Sequence, residues 1–243
     1  MDPCLLALDT ATELMAVGLC SPAGQATRQE AGGAQSSARL IPLAQGLLAD
    51  AGLTWAALDA IAFSAGPGAF TGLRTACAVA QGLGLGLNKP LIAIDSLMTL
   101  AEDAWGQVAS TQAWYWVAQD ARMDEVYAAA YQRHSGDKPG WTMAEAPALC
   151  TLAALAARWA EQPPRYLAGN AATVFAKRLP CASAVRVDVV NDRAGAALRL
   201  ARQAWADGLL IAADDALPVY LRDKVALTTV QRQQQARAGL GVA

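Results

Sequence analysis

Apolar runs along the chain are short, end on acids or small residues, and recur in two similar series. Cys4 to Leu8 stops at Asp9, and Leu14 to Cys20 follows after Thr10-Ala11-Thr12, a pattern of two strands joined by a tight turn. Ser21-Pro22-Ala23-Gly24 turns the chain again, and Gln25 to Glu30 completes a meander as an edge strand. Ser36 or Ser37 offers an N-cap to a helix with Leu40, Ile41, Leu43, Leu47 and Leu48 on one face, bent by Pro42 and ending near Gly52. Ala60 to Ser64 reads as a buried strand and, after Gly66-Pro67-Gly68, Phe70 to Leu87 as a long helix. Leu91 to Ile94 then reads as a strand and Ser96 to Trp105 as a helix.

The second half repeats the opening. Trp114 to Gln119 ends at Asp120, Ala121-Arg122-Met123 turns, and Glu125 to Tyr131 alternates like a strand. Leu152 to Glu161, Ala171 to Leu179 and Asp192 to Ala206 are helix-like, with strand-like Arg165 to Ala168 and Ala184 to Val187 between them. Two copies of one plan predict a duplicated α/β fold with a mixed sheet in each half and a boundary near Gly106 to Thr111. The tail after Asp223 carries Lys224, Arg232, Arg237 and a glutamine-rich run without an acid, the composition of a flexible segment.

Composition narrows the function classes. Of 243 residues 54% are hydrophobic, 16% are charged and the formal net charge is −2, so a disordered chain is excluded. There is no basic footprint of the kind that neutralises nucleic-acid phosphates. The uncharged stretches are too short or too often broken by polar residues to span a membrane, and Asp2 stands where a secretory leader would be basic, so the expected location is cytoplasmic. Cys4, Cys20, Cys77, Cys150 and Cys181 form no CxxC pair, and His134 is the one histidine, so no Cys/His metal site can be assembled. His134 itself reads as part of a solvated turn.

Three segments carry candidate chemistry. A strand-turn-strand with an acid at the turn, present twice, is how actin-like ATPases and sugar kinases hold nucleotide phosphates. Asp9, Thr10 and Thr12 are therefore candidates for a phosphate or Mg²⁺ site, although the first turn lacks the glycine that lets backbone N–H groups reach a phosphate, which favours a structural hairpin. Gly66 and Gly68 open a loop into a helix, where an anion could sit, but no lysine follows Gly72 as in a Walker A loop. Asp120, Arg122, Asp124 and Glu125 bring four charges into the second turn, and Arg222 is a further candidate. On the long helix Gly72, Ala76, Ala80 and Gly84 recur every four residues, a row that admits close approach of another helix, from a partner or from the chain itself.

Four motifs occur in order: Leu6 to Glu13, Gly66 to Arg74, Asp120 to Tyr127 and Pro218 to Arg222. Together they resemble the bacterial TsaB family, also called YeaZ, over nearly the whole chain to about Val225. The resemblance implies an actin-like (ASKHA, ribonuclease H-like) fold of two lobes, 1–106 and 107–225, followed by a flexible tail at 226–243. It implies a non-catalytic subunit supporting TsaD, which transfers the threonylcarbamoyl group to the adenosine 3′ of the anticodon of tRNAs reading ANN codons. TsaE joins that complex, tRNA is reached only through it, and a homodimer forms when TsaD is absent. The implied partner interface lies on the first-lobe helices at Leu40, Ile41, Ala44, Leu48, Gly72, Ala76, Ala80, Leu83 and Gly84. No cofactor is assigned to this chain alone, with nucleotide at the partner interface left open. The sequence departs from the family by placing Ser36 where members commonly carry histidine, and it lacks the His-x-x-x-His pair by which TsaD-type proteins bind metal. The alternative is an ATP-binding phosphotransferase or ATPase of the actin and sugar-kinase superfamily acting through Asp9, Thr10 and Thr12.

Overall fold

The computed structural model describes residues 2–108, 114–135, 139–181, 183–187 and 190–222; the expected tail lies outside them. The first lobe contains β1 (Leu5–Asp9), β2 (Leu14–Ser21), β3 (Gly24–Ala31), α1 (Ser36–Asp50), β4 (Ala60–Gly66), α2 (Phe70–Leu87), β5 (Leu91–Asp95) and α3 (Ser96–Val108). The second follows with β6 (Trp114–Asp120), β7 (Glu125–His134), β8 (Gly140–Thr151), α4 (Leu152–Glu161), β9 (Tyr166–Ala168), α5 (Ala171–Val174), β10 (Val185–Val187) and α6 (Arg193–Ala206). The strand orders are β3-β2-β1-β4-β5 and β10-β9-β6-β7-β8, one plan written twice. In each, an antiparallel meander is extended by parallel strands, β1 on β4 in the first and β6 on β9 in the second. This is the duplicated actin-like arrangement of two mixed five-stranded sheets flanked by helices.

The apolar pattern explains the layers. β1 and β4 are buried along their whole length because helices cover both faces of the first sheet. Leu6, Leu8, Ile61 and Phe63 meet α1 and α2 through Leu40, Leu47, Ala76 and Ala80, while Leu5, Ala7 and Ala62 meet Leu198 and Ala201 of α6. In the second sheet Trp116 and Ala128 face Leu155 and Trp159 of α4, and Val117 and Tyr131 face Leu97, Leu100 and Ala101 of α3. The helices α3 and α6 thus occupy the seam, each on the sheet formed by the other half of the chain.

Several local expectations are corrected. Gly33–Gln35 forms a 3₁₀ turn that runs directly into α1, so Ser36 is already helical and no side chain caps this end. Helix α5 stops at Val174, and the chain then turns toward Leu179. The strand β8 had no counterpart in the sequence reading; its Ala, Glu and Pro residues are mostly exposed and give no clean alternation. His134 is not in a turn but ends β7, opposite Gly140.

Charged groups join the layers. Arg193 Nε donates to Asp9 Oδ2 at 2.7 Å, and both side chains are 2% exposed. Arg193 Nη1 is buried with no hydrogen-bond partner among the described residues. Glu102 of α3 accepts from Arg199 Nε at 2.5 Å and from Trp141 Nε1 at 2.7 Å, and Asp103 accepts the backbone N–H groups of Asn191 and Asp192 just before α6. Asp95 Oδ1 accepts from Leu97 N and Met98 N at the start of α3, and Oδ2 accepts from Tyr131 Oη at 2.6 Å. Burial raises the Asp95 carboxyl above its ordinary range against the lowering effect of these hydrogen bonds, and burial raises the Tyr131 phenol as well.

Replacing Arg193 by methionine leaves the Asp9 carboxylate buried and unpaired and is expected to cost about 3–5 kcal/mol in denaturant unfolding. The double replacement Asp9→Leu, Arg193→Met is expected to recover much of that loss. Asp95, with its folded pKa above the unfolded value of about 3.9, contributes stability that is full below that pH and lost as pH rises through the folded pKa. Asp95→Asn keeps the capping oxygen, so its stability relative to wild type is expected to increase as pH rises above about 4. A flat or decreasing difference would show that no such carboxyl is held protonated.

Candidate functional site

The sequence candidates fall on two surfaces, a cleft between the lobes and the outer face of α1 and α2. The cleft has a volume of about 540 Å³ and is walled by the β1–β2 turn, the loop into α2, the β6–β7 turn, Asn170 and the segment Val219–Arg222.

The first wall is closed on itself. Thr10 N donates to Ser64 Oγ at 3.3 Å, Ala11 N to Asp9 Oδ1 at 2.8 Å and Leu14 N to Thr12 Oγ1 at 3.2 Å. Thr10 Oγ1 donates to Gly72 O at 2.6 Å, and Ala69 N donates to Ala11 O at 2.8 Å. The first turn of α2 therefore presses onto the β1–β2 turn. A Cβ at Gly72 would lie 1.8 Å from Thr10 O and one at Gly68 2.6 Å from Ala11 O, so these glycines serve a backbone-to-backbone contact. Asp9 and Thr10 are buried away from the cleft, whereas Thr12 and Gly68 line it. Gly66 lies behind the wall, where a Cβ would meet Val219 O at 2.6 Å.

The second wall is strained. Arg122, Met123 and Asp124 have φ of 66°, 58° and 59°, three successive left-handed residues that are not glycine. Such a conformation costs about 1–2 kcal/mol per residue, and the neighbours hold it in place. Asp120 Oδ1 accepts from Arg122 N at 2.8 Å, and Asn170 Oδ1 accepts from Asp120 N at 2.8 Å. Arg222 Nη2 donates to Ala121 O at 2.9 Å and to Arg122 O at 3.3 Å, while its Nη1 pairs with Glu125 Oε2 at 2.7 Å. Arg178 pairs with Asp124 at 3.0 Å. The structure thus brings Asp120 and Arg122 to the cleft opposite Thr12 and Gly68, and adds Asn170 and Tyr220, which sequence reasoning missed. Asn170 had no signal of its own, and Tyr220 stood in the Pro218 to Arg222 motif without a role, since each acts through a partner far away in the chain.

Arg222 is carried by a strap. Ile211 bridges Leu91, Gln81 Nε2 donates to Ala216 O at 2.9 Å, and Val219 N donates to Ala65 O at 2.7 Å, so Ile211–Val219 follows α2 and β4 of the first lobe before Arg222 reaches the second.

On the helices the small-residue row faces inward, which corrects its assignment to a partner. Ala76 and Ala80 are fully buried against the first sheet, and a Cβ at Gly84 would lie 2.9 Å from Leu91 Cδ2. Leu40, Ala44 and Leu48 are likewise core residues. Of the expected interface residues Ile41 is 42% exposed, and Leu83 is half-buried. The outer face of α2 instead presents Arg74, Ala78, Gly82, Leu85 and Gly86. A Cβ at Gly82 or Gly86 would meet nothing within 4 Å, so packing within the chain gives no reason for either glycine, and each costs the helix nearly 1 kcal/mol relative to alanine.

A profile of the family described as TsaD, tRNA N6-adenosine threonylcarbamoyltransferase, matches residues 26–229. The chain is 35% identical over 231 residues to the tRNA threonylcarbamoyladenosine biosynthesis protein TsaB of Escherichia coli, covering 91% of this chain and 96% of that one. It is 39% identical over 125 residues to TsaB of Haemophilus influenzae, 51% of each chain. Among solved structures, YeaZ from Pseudomonas aeruginosa superposes with a TM-score of 0.79 at 37% identity, covering 90% of this chain and 100% of that one.

Arg222→Ala removes the clamp on the strained turn. Amide hydrogen exchange at Met123–Glu125 is expected to accelerate by at least about tenfold while the strands of the first sheet keep their protection.

Proposed function

Since the chain belongs to the TsaB (YeaZ) family, we propose that it works in tRNA threonylcarbamoyladenosine formation as the non-catalytic partner of TsaD. In this reading TsaD performs the transfer to adenosine, TsaE joins the complex, and tRNA meets this chain only through the assembly. The observation that carries the non-catalytic assignment is the state of Asp9. As the acid that a nucleotide-hydrolysing relative would turn toward Mg²⁺, it is consumed by Arg193 and by Ala11 N inside the core. The N–H groups of Thr10 and Ala11, which a phosphate-binding turn would offer to its ligand, are bound to Ser64 and Asp9. A chain built in this way can hold a shape more readily than it can hold a phosphate.

The partner surface in this proposal is the outer face of α1 and α2, with Ile41, Ala78, Gly82 and Leu85 at its centre. Glycines exposed on a helix allow a second helix to approach closely, and the same face serves self-association when TsaD is absent. No helix among the described residues is long and apolar enough to cross a membrane.

Gly82→Trp adds bulk on an exposed face and is expected to leave the melting temperature nearly unchanged while abolishing copurification with TsaD. Retention of the complex would move the interface elsewhere. Calorimetry of the isolated chain with ATP and Mg²⁺ is expected to give no binding heat. Tight binding with hydrolysis lost in Asp9→Ala would establish the phosphotransferase reading instead.

A further inference from the structure

Where α2 meets the cleft, an arginine is held in a fixed pose by groups that do not bury it. The Arg74 guanidinium lies 3.9 Å over the ring of Phe70, and its Nε donates to Tyr220 Oη at 2.9 Å. The two rings are 5.2 Å apart, yet Phe70 is 54% and Tyr220 41% exposed. The strap bearing Tyr220 is fastened to α2 and β4 through Ala216 and Val219, so the arrangement joins segments more than a hundred residues apart in sequence. Arg74 forms no ion pair among the described residues, whereas Arg122 and Arg222 at the cleft are neutralised by Asp120 and Glu125. With Nε engaged, Nη1 and Nη2 of the exposed Arg74 have no hydrogen-bond partner among the described residues, and a planar fork of this kind suits two parallel hydrogen bonds to a carboxylate.

We propose that Arg74 receives an acidic side chain of the partner protein, as a preorganised contact at the cleft end of the α1–α2 face. The proposal rests on reading that face as the partner interface. Arg74, Ala78 and Gly82 stand four residues apart on one row of α2, so the cation continues the face on which a partner helix would lie. The surroundings favour a carboxylate on a protein over the phosphates of a nucleic acid. An arginine without an ion pair among the described residues, flanked by the exposed rings of Phe70 and Tyr220, forms a charged point in an aromatic rim, the pattern of an interface anchor. Phosphate backbones are held by several cations together. Stacking and the Tyr220 hydrogen bond fix the guanidinium before the partner arrives, which lowers the ordering cost of the contact.

Titration calorimetry with purified TsaD tests this, using the full chain as wild type, Arg74→Ala, Arg74→Lys and Gly82→Trp. Arg74→Ala is expected to raise Kd by about 10- to 100-fold and to flatten the salt dependence of binding. Arg74→Lys, which keeps charge and stem but has no fork, is expected to remain at least about 5-fold weaker than wild type. Wild-type affinity in both Arg74 variants while Gly82→Trp fails to bind would overturn the contact and leave the face intact. Wild-type affinity in Gly82→Trp would overturn the face itself. Loss of tRNA retention by the complex without loss of TsaD affinity in Arg74→Ala would assign the arginine to phosphate and likewise overturn the proposal.

Discussion

The buried ion pair between Asp9 and Arg193 is the contact on which the rest of the architecture depends. It ties the end of the central strand β1 to the first turn of α6, so a helix from the second half of the sequence is seated on the sheet of the first half. A charge removed from water is tolerated only when it is paired, which makes this position of α6 obligatory. The carboxylates of Glu102 and Asp103 then fasten α3 to α6 and to Trp141 of the second sheet. The seam between the lobes is therefore polar and specific at its fixing points and apolar between them.

The same pair holds the acid at the end of β1 away from the cleft. An acid at the end of β1 is the feature by which an actin-like lobe reaches a metal-bound phosphate, and here its second oxygen is taken by a cation from within. The loop glycines follow the same logic, because Gly68 and Gly72 bring the helix start against the opposite turn. What remains at the cleft is a rim: a turn of three left-handed residues clamped by Arg222, and an aromatic pair holding Arg74. Both depend on the strap Ile211–Arg222, which crosses from the first lobe to the second.

The helix α2 shows how much of this the sequence made legible. Its bounds follow from the loop before Phe70 and from Asn88, which takes the left-handed conformation just after the last turn. Its row of Gly72, Ala76, Ala80 and Gly84 was equally legible as a surface for close approach, but periodicity does not say which of two neighbours comes near. The answer lies in the registry of α2 against β1 and β4, where the row meets Thr10 and the core. The strand β8 was missed because a half-exposed edge strand carries no strong alternation, and α5 was overextended because helical composition alone does not stop a helix. Asp9 stood out as a site residue; its partner Arg193, 184 residues away, did not.

By itself, the sequence determined most of the elements, their duplication, the mixed sheets and the family, since each rests on local periodicity, turn chemistry or contiguous motifs. Tertiary structure decided which face of α2 is core, that α3 and α6 cross between halves, and that Asp9 is buried and paired with Arg193. Those outcomes depend on pairings over long separations, where burial and charge neutralisation act between groups that the linear order keeps apart.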